Sequence, residues 1–384
     1  MIKLVNLRMK KMKSFFPKVP FIFALFSLCS CSQNPIDASY AYLKKHGQCP
    51  KDYVISRFEQ YDYVFLGEYH RFKQDVDFVA SLIPDLYKKG VRNLAYEFYA
   101  EELQTVLDSI LTDKEWNETL FYHTMALGFG VLWGYTEYLD IFKKAWEFNQ
   151  TLEPNQPKFR IVFVGSDWDP CREDGRVITK GEDFWAEIFE KEIVSKQEKA
   201  LVFCGKHHAF TRYHQPFYDF EKDTLIRLNN ERFGNYIYEK YPEKTFNIVF
   251  HAPWTSNNGW DEPSVKPVNG VIDSVMEMLG NKPMGFDVRG TVMGQLRADD
   301  TYYAFGYENF KLENFCDGYI FLAPYRDIVF VSTNPNFYDD HNLKRFRKIA
   351  KCMNMPEEVV SAPKEIIMEM ITECPDVHFG HLRK

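Results

Sequence analysis

The chain has 384 residues, 45% of them hydrophobic, which is enough to bury a sizeable core in one large domain or two smaller ones. Its formal net charge is −7 and it contains neither a basic stripe nor interleaved aromatic and basic residues, so we expect no nucleic-acid partner. The high aromatic content, 17%, is typical either of a core packed with rings or of a pocket that stacks planar ligands.

The N-terminus has the pattern of a targeting segment. A positively charged stretch precedes the apolar run 19–28, which is too short to span a bilayer. The run ends in Leu28-Cys29-Ser30-Cys31, which resembles the bacterial lipobox. The resemblance implies that residues 1–30 are a lipoprotein signal peptide and that lipid is attached to Cys31; ordinary secretion with cleavage nearby is the alternative.

A lipid anchor implies that the membrane is a partner and that the protein stays in the bacterial cell envelope, at the outer membrane or the cell surface. Residues 31–60 are then a tether and an N-terminal segment. No other stretch reaches about 18 consecutive apolar residues, so we expect no transmembrane helix. Six of the eight cysteines remain after processing and acylation, and in an exported protein some of them can pair. Cys204 lies within a strand pattern and is predicted to be a small buried hydrophobic residue.

Strand and helix patterns alternate along most of the chain. Helices are predicted at 38–45, 72–89, 182–196, 231–241, 271–279, 342–352 and 356–372, and the region 100–149 is helical in pattern. Strands are predicted at 61–66, 91–96, 159–164, 200–204, 245–250, 284–287 and 315–324. This alternation predicts an α/β fold with a central, mainly parallel β-sheet flanked by helices. We expect one α/β domain over 61–325 with a helical insertion at about 100–149, followed by a C-terminal helical elaboration over 326–384.

Acidic and imidazole side chains follow five of the predicted strands. Because parallel strands place their carboxyl ends on one edge of the sheet, we expect these groups to converge on one cleft. In chain order they are Glu68, His70, Glu97, Asp167, Asp169, His207, His208 and His251. The remaining histidines stand in no motif.

Such a cluster supports three chemistries. A neutral histidine can take a proton from water while a carboxylate orients it and raises its pKa, as in general-base hydrolysis. Alternatively, His70, Glu97 and His208 are candidate ligands of a divalent metal that lowers the pKa of bound water. A histidine or tyrosine in an aromatic pocket can also ligate haem iron.

Each of these residues also has a structural interpretation. Gly67-Glu68-Tyr69-His70 alone is compatible with a polar turn, and Glu97 and Asp167 are compatible with caps at helix or turn starts. His207 and His208 are adjacent, so in an extended chain they point to opposite faces, and at most one of them should face the cleft.

Taken in order, the motifs resemble one known superfamily. They are Gly67-Glu68-Tyr69-His70, Glu97, Gly165-Ser166-Asp167, Gly205-Lys206-His207-His208-Ala209 and the late strand Asp317-Gly318-Tyr319-Ile320-Phe321-Leu322. This set, spread over 61–324, is similar to the superfamily that contains erythromycin esterases, ChaN-type haem-binding lipoproteins and Tiki/TraB metalloproteases. A single residue between Glu68 and His70 matches the spacing of the ChaN-like members, whereas erythromycin esterases have two. The segment after His208 is long for a ChaN-like protein, which implies an added lid or C-terminal elaboration.

The resemblance implies that His70 is a general base or ligand, surrounded by Glu68, Glu97 and His208, and that His207 is a variable position. We therefore expect a lipid-anchored, hydrolase-like protein of the esterase or peptidase type, with or without a divalent metal, acting on a small molecule or peptide. The alternative is a haem-binding lipoprotein of iron uptake. A third interpretation is an inactive surface protein that kept the pocket.

Overall fold

The computed structural model describes residues 34–165, 171, 181–260, 262–372 and 379–383. The predicted lipidation site Cys31 and the strand-end residues Asp167 and Asp169 lie outside these ranges. Within them, none of the helices combines the length and the apolar character that crossing a bilayer requires.

Nine strands occur in the described part of the chain. They are β1 (Tyr63–Glu68), β2 (Asn93–Ala100), β3 (Arg160–Gly165), β4 (Ala200–Gly205), β5 (Gln215–Asp219), β6 (Thr224–Asn229), β7 (Thr245–Phe250), β8 (Met284–Asp287) and β9 (Gly318–Phe321). Seven of them form one sheet in the order β3-β2-β4-β1-β7-β9-β8, and only the β8–β9 pair is antiparallel. Strands β5 and β6 form a separate antiparallel hairpin.

The helices lie between the strands and at both ends of the described chain. They are α1 (Pro35–His46), α2 (Pro50–Arg57), α3 (Lys73–Lys88), α4 (Gln104–Thr112), α5 (Glu118–Met125), α6 (Thr136–Gln150), α7 (Glu182–Glu192), α8 (Phe233–Lys240), α9 (Val271–Met278), α10 (Leu312–Phe315), α11 (Asp340–Cys352), α12 (Glu357–Val360) and α13 (Lys364–Thr372). Helices α4, α5 and α6 lie between β2 and β3, in the region whose sequence pattern is helical. The predicted α/β class, with its mainly parallel sheet, is confirmed.

The structure differs from the predicted elements at two places that have a clear physical reason. The single helix predicted over 356–372 is divided into α12 and α13, because Pro363 lacks an amide hydrogen and disfavours helical backbone at the residue before it. The β5–β6 hairpin was not predicted at all. Its strands carry exposed apolar residues such as Phe217 and Ile226, so they lack the clear hydrophobic pattern of a buried strand.

Strand β1 shows why the sheet is central. All six of its residues are buried, as is typical of parallel strands covered by helices on both faces. Val64 and Leu66 pack into the largest core cluster, while Tyr63 and Phe65 point to the opposite face and join a second cluster. Helix α11, in the C-terminal part of the chain, packs into the same largest cluster through residues such as Phe346.

The described cysteines agree with the expectation that some of them pair and that Cys204 is buried. Cys171 and Cys352 form a disulfide with a Cα–Cα distance of 5.2 Å, which links the segment after β3 to the end of α11. Cys204 lies in β4 and is fully buried, as predicted.

Candidate functional site

The sheet order places three strands with polar ends side by side. Strand β4 lies between β2 and β1, and all three run parallel. Their carboxyl ends therefore bring Glu97, the turn after Gly205, and the Glu68–His70 segment to one edge. Glu68 pairs with Gly205 as the last residue of β1, rather than following the strand as predicted.

Glu68 and His70 form the centre of this edge. The Glu68 side chain is buried, and its Oε1 lies 2.9 Å from Nδ1 of His70. The Tyr138 hydroxyl, contributed by α6, is 2.8 Å from each Glu68 carboxylate oxygen. The backbone amide of Arg71 in turn donates to that hydroxyl at 2.9 Å. The His70 side chain remains 41% exposed, so it is anchored on one side and accessible on the other.

The turn after His70 is tight. Arg71 has a φ of 74°, a left-handed conformation that costs a non-glycine residue about 1–3 kcal/mol. Gly205 lies beneath the imidazole, where a Cβ atom would be 2.8 Å from Cε1 and 2.9 Å from Nε2 of His70. A side chain at position 205 would therefore displace the ring.

The environment shifts the pKa of both central groups. Burial raises the pKa of the Glu68 carboxyl, although its bonds to His70 and Tyr138 oppose the change. For His70, burial favours the neutral ring, but the hydrogen bond and charge of Glu68, together with the charge of Glu97, outweigh it and raise the pKa above 6.5. The imidazole therefore binds a proton more readily than an ordinary histidine.

Glu97 connects the two histidines of the site. Its Oε1 is 3.6 Å from His70 Nε2, and its Oε2 is 3.8 Å from His208 Nε2 and accepts a hydrogen bond from the Gly205 amide at 3.0 Å. Glu97 lies within β2, four residues before the next helical turn begins at Glu101, so the capping interpretation was wrong.

His208 is held from its other side by Glu182, the first residue of α7. Nδ1 of His208 lies 2.8 Å from Glu182 Oε2, and Arg232 binds Glu182 Oε1 at 2.7 Å. Burial favours the neutral carboxyl at Glu182, but His208 and Arg232 outweigh it and lower its pKa. Burial likewise opposes charge on His208, yet Glu97 and Glu182 raise its pKa.

The site opens into a cavity of about 280 Å³ at the lower end of the size range of ligand pockets. Glu68, His70, Lys206, His207 and His208 are among its lining residues. The prediction that only one of the adjacent histidines faces the cleft was wrong. The chain turns at residues 206–209 instead of continuing β4, so the alternation of an extended strand does not apply.

Two wall residues have a lowered pKa. Burial lowers the pKa of Lys206 to about 7. Burial and the neighbouring Lys206 charge hold the pKa of His207 well below 6.5, and its Nε2 lies 2.8 Å from the Tyr303 hydroxyl. His207 is therefore a neutral ring at ordinary pH.

The structure does not bring His251 into the cavity. The side chain follows β7, is 1% exposed, and its Nδ1 lies 2.9 Å from the Tyr319 hydroxyl. Its ring stacks on Tyr325 with centroids 4.7 Å apart. His251 thus belongs to a separate buried cluster.

Glu68, His70 and Glu97 have the spacing of a metal site. One ligand atom from each can be chosen so that all lie within 4.8 Å of one another. Imidazole nitrogen and carboxylate oxygen are ordinary zinc ligands at about 2.0–2.2 Å, and two such ligands are separated by roughly the 3.6 Å seen between His70 and Glu97. Glu68 Oε1 is already bonded to His70 Nδ1, so His70 Nε2 and Glu97 Oε1 are the atoms that could hold a divalent cation, with His208 Nε2 next to Glu97.

Sequence reasoning missed three residues of the site. Tyr138 lies inside a helix pattern and Glu182 opens the next helix, so neither carries a signal of its role. Lys206 lies within the Gly205–Ala209 motif. Its position between a buried strand and two histidines is a sequence signal that could have identified it as a site residue.

Neither a family model nor a curated protein matches the chain. Among solved structures, a succinoglycan biosynthesis protein is 10% identical, with 77% of this chain and 97% of that chain covered and a TM-score of 0.52. A Bacillus cereus protein is also 10% identical, covering 75% of this chain and 97% of its own, with a TM-score of 0.47. The type III effector HopBA1 is 14% identical over 57% of this chain and 88% of its own, with a TM-score of 0.33. The first likeness shows a shared fold and nothing about function.

Proposed function

We propose that the protein is a hydrolase-like member of the superfamily of erythromycin esterases, ChaN-type lipoproteins and Tiki/TraB proteases. One observation carries the proposal: the His70 imidazole is fixed by a buried carboxylate yet remains 41% exposed to a cavity. A general base needs both a defined orientation and access to the substrate. The order of the motifs along the chain supports the proposed membership of this superfamily.

The proposed mechanism follows from the hydrogen bonds of His70. Ionised Glu68 only accepts hydrogen bonds, so it holds the proton on Nδ1 and leaves the lone pair on Nε2. Nε2 and Glu97 Oε1 are 3.6 Å apart, which is too long for a direct hydrogen bond and leaves both atoms able to bind one water. Nε2 takes a proton from that water as it attacks the substrate carbonyl, and the imidazolium then protonates the leaving group.

A bound divalent metal would add the acidification of that water and polarisation of the carbonyl. In that case His70 Nε2 and Glu97 would hold it, and Glu68 would orient His70 through Nδ1, as carboxylates commonly do for metal-bound histidine. The roles of Glu68 and Tyr138 are the same with or without the metal.

The test is hydrolysis by the purified protein without its lipid anchor. A panel of p-nitrophenyl esters and short peptides, with and without EDTA, measures activity, and elemental analysis measures bound metal. We expect hydrolysis of one class of these substrates and its loss in the His70→Asn protein. Titration with haemin tests the alternative, because a Soret band that disappears with His70→Asn, together with no hydrolysis, would support haem binding instead.

We further propose that the protein is lipid-anchored in the bacterial envelope. The lipobox-like motif ending at Cys31 motivates this, and the Cys171–Cys352 disulfide supports an oxidising compartment. The Cys31→Ala protein should no longer partition into detergent, while the Cys49→Ala protein should partition as before. Unchanged partitioning of Cys31→Ala would refute the anchor.

A further inference from the structure

Lys206 is a buried amine on the wall of the cavity, and its protonated form is a cation. The residue is 8% exposed, and its Nζ donates a hydrogen bond to the Pro253 carbonyl at 3.0 Å. The same nitrogen lies 5.1 Å and 5.3 Å from the ring centroids of Tyr69 and Tyr303. Pro253 and Tyr69 also line the cavity, so the amine lies at the surface that a ligand would contact.

This cation has no anionic partner among the described residues, since none of their carboxylate oxygens forms an ion pair with it. Two other partly buried cations are each paired: Arg232 binds Glu182 at 2.7 Å, and Arg57 binds Asp287 at 2.8 Å. Lysine is almost never fully buried unless it is paired. A carbonyl and two ring faces compensate a charge only in part, and the ammonium has further hydrogens to donate.

Among the described residues, the wall of the cavity has no side chain suited to complete this pairing. Of the two carboxylates on its wall, Glu68 is occupied by His70 and Tyr138, and Glu262 is exposed. Arg71 lies on the same wall and adds positive charge. The counter-charge that Lys206 lacks is therefore one that a ligand can supply.

We propose that Lys206 is the anion-binding residue of the cavity, so that the ligand carries a carboxylate or phosphate group. The inference rests on the proposed hydrolase only in identifying that ligand as the substrate. Because Lys206 and His70 line the same small cavity, the anionic group lies close to the bond that is hydrolysed. Esters or amides of acidic molecules are then the substrate class.

A purely structural role is the competing explanation. The hydrogen bond to Pro253 joins the turn after β4 to the loop after β7, and Lys206 would then stabilise the fold without contacting a ligand. The two roles differ in one measurable property, which is the affinity of the folded protein for a small anion.

The experiment is calorimetric titration of the protein with acetate and inorganic phosphate at about pH 6, where an amine with a pKa of about 7 is mostly protonated. We expect one of the two anions to bind the unmodified protein and to bind the Lys206→Met protein at least about tenfold more weakly, as the loss of a charge-assisted hydrogen bond predicts. Lys158→Met is the matched control, because Lys158 also donates to backbone carbonyls, those of Asn149 and Leu152, but lies outside the cavity. It should bind the anion as the unmodified protein does.

The tighter of the two anions identifies the class of ligand. If Lys206→Met does not fold, Lys206→Gln retains a donor for Pro253 without the charge and should show the same loss. Equal binding by the unmodified and variant proteins, or no anion binding at all, overturns the proposal. His70→Asn should still bind the anion, so binding that depends on Lys206 without any hydrolysis would reject the proposed enzyme and retain the anion site.

Discussion

Two histidines follow neighbouring strands of one sheet, but only one of them reaches the cavity. His70 follows β1 and is 41% exposed, whereas His251 follows β7 and is 1% exposed. Both rings are held at Nδ1 at 2.9 Å, by the Glu68 carboxylate and by the Tyr319 hydroxyl. A position at the carboxyl end of a strand therefore brings an imidazole to the edge of the sheet, but the residues packed around it decide what it can do.

The two histidine rings differ in how far neighbouring residues cover them. His251 stacks on Tyr325 and contacts Phe321, so the segment that follows β9 covers it. His70 meets Phe98 and Trp133 edge-on, with centroids 5.3 Å and 5.5 Å away, and the rest of its ring stays open. We expect substitution at His70 to affect catalysis, and substitution at His251 to affect stability.

The largest expected effect is on catalysis by the His70→Asn protein. Asparagine keeps a hydrogen-bonding group but cannot accept a proton near neutral pH, and loss of general-base action costs about 10²- to 10⁴-fold in rate. Stability should change by about 1 kcal/mol or less, as for most accessible positions. Steady-state kinetics and thermal unfolding measure the two quantities.

The matched control is His123→Asn. His123 also pairs with a carboxylate, Asp339, at 2.8 Å, but it lies outside the cavity. The His123→Asn protein should hydrolyse substrate at the same rate as the unmodified protein. A His70→Asn protein whose activity falls only in proportion to its folded fraction would show that His70 is structural.

Next in size is the effect of His251→Leu on stability. The change leaves the buried Tyr319 hydroxyl without its imidazole partner, which costs about 1–3 kcal/mol. Chemical denaturation should show this loss, with normal activity per folded molecule. Adding Tyr319→Phe should recover part of the stability, because the Tyr319 hydroxyl is then gone, whereas Asp273, 3.5 Å from His251 Nε2, still lacks the imidazole. Lost activity at full stability would instead assign His251 to the site.

The sequence predicted the edge of the sheet better than it predicted the contacts there. The bounds of β7 and β8 agree with the predicted 245–250 and 284–287, because proline and charged residues directly precede both strands. The parallel order that brings Glu68, Glu97 and His208 together followed from strand–helix alternation. The Tyr138 hydroxyl and the cover over His251 depend on tertiary packing, which no local pattern encodes.

A smaller effect is expected from Tyr138→Phe. The hydroxyl donates to Glu68 and accepts from the Arg71 amide, so its loss weakens the support of His70 without removing the bond between Glu68 and Nδ1. The rate should fall about tenfold, as one hydrogen bond to a charged group suggests. Tyr135→Phe removes a neighbouring hydroxyl that donates to the Ile371 carbonyl at 2.9 Å and should not change the rate. If Tyr138→Phe and Tyr135→Phe change the rate equally, the Tyr138 hydroxyl has no specific role in supporting His70.

The most direct test of the account is an NMR titration of the His70 imidazole in the unmodified and Glu68→Gln proteins. Glu68 favours the protonated ring through its hydrogen bond and charge, so the pKa of His70 should lie above 6.5 in the unmodified protein and fall in the variant. The acid limb of the pH–rate profile should move to lower pH in parallel, because the free base then persists in more acidic solution. A His70 pKa that lies at or below 6.5, or that does not change with Glu68→Gln, would contradict the claim that this carboxylate prepares His70 as the base.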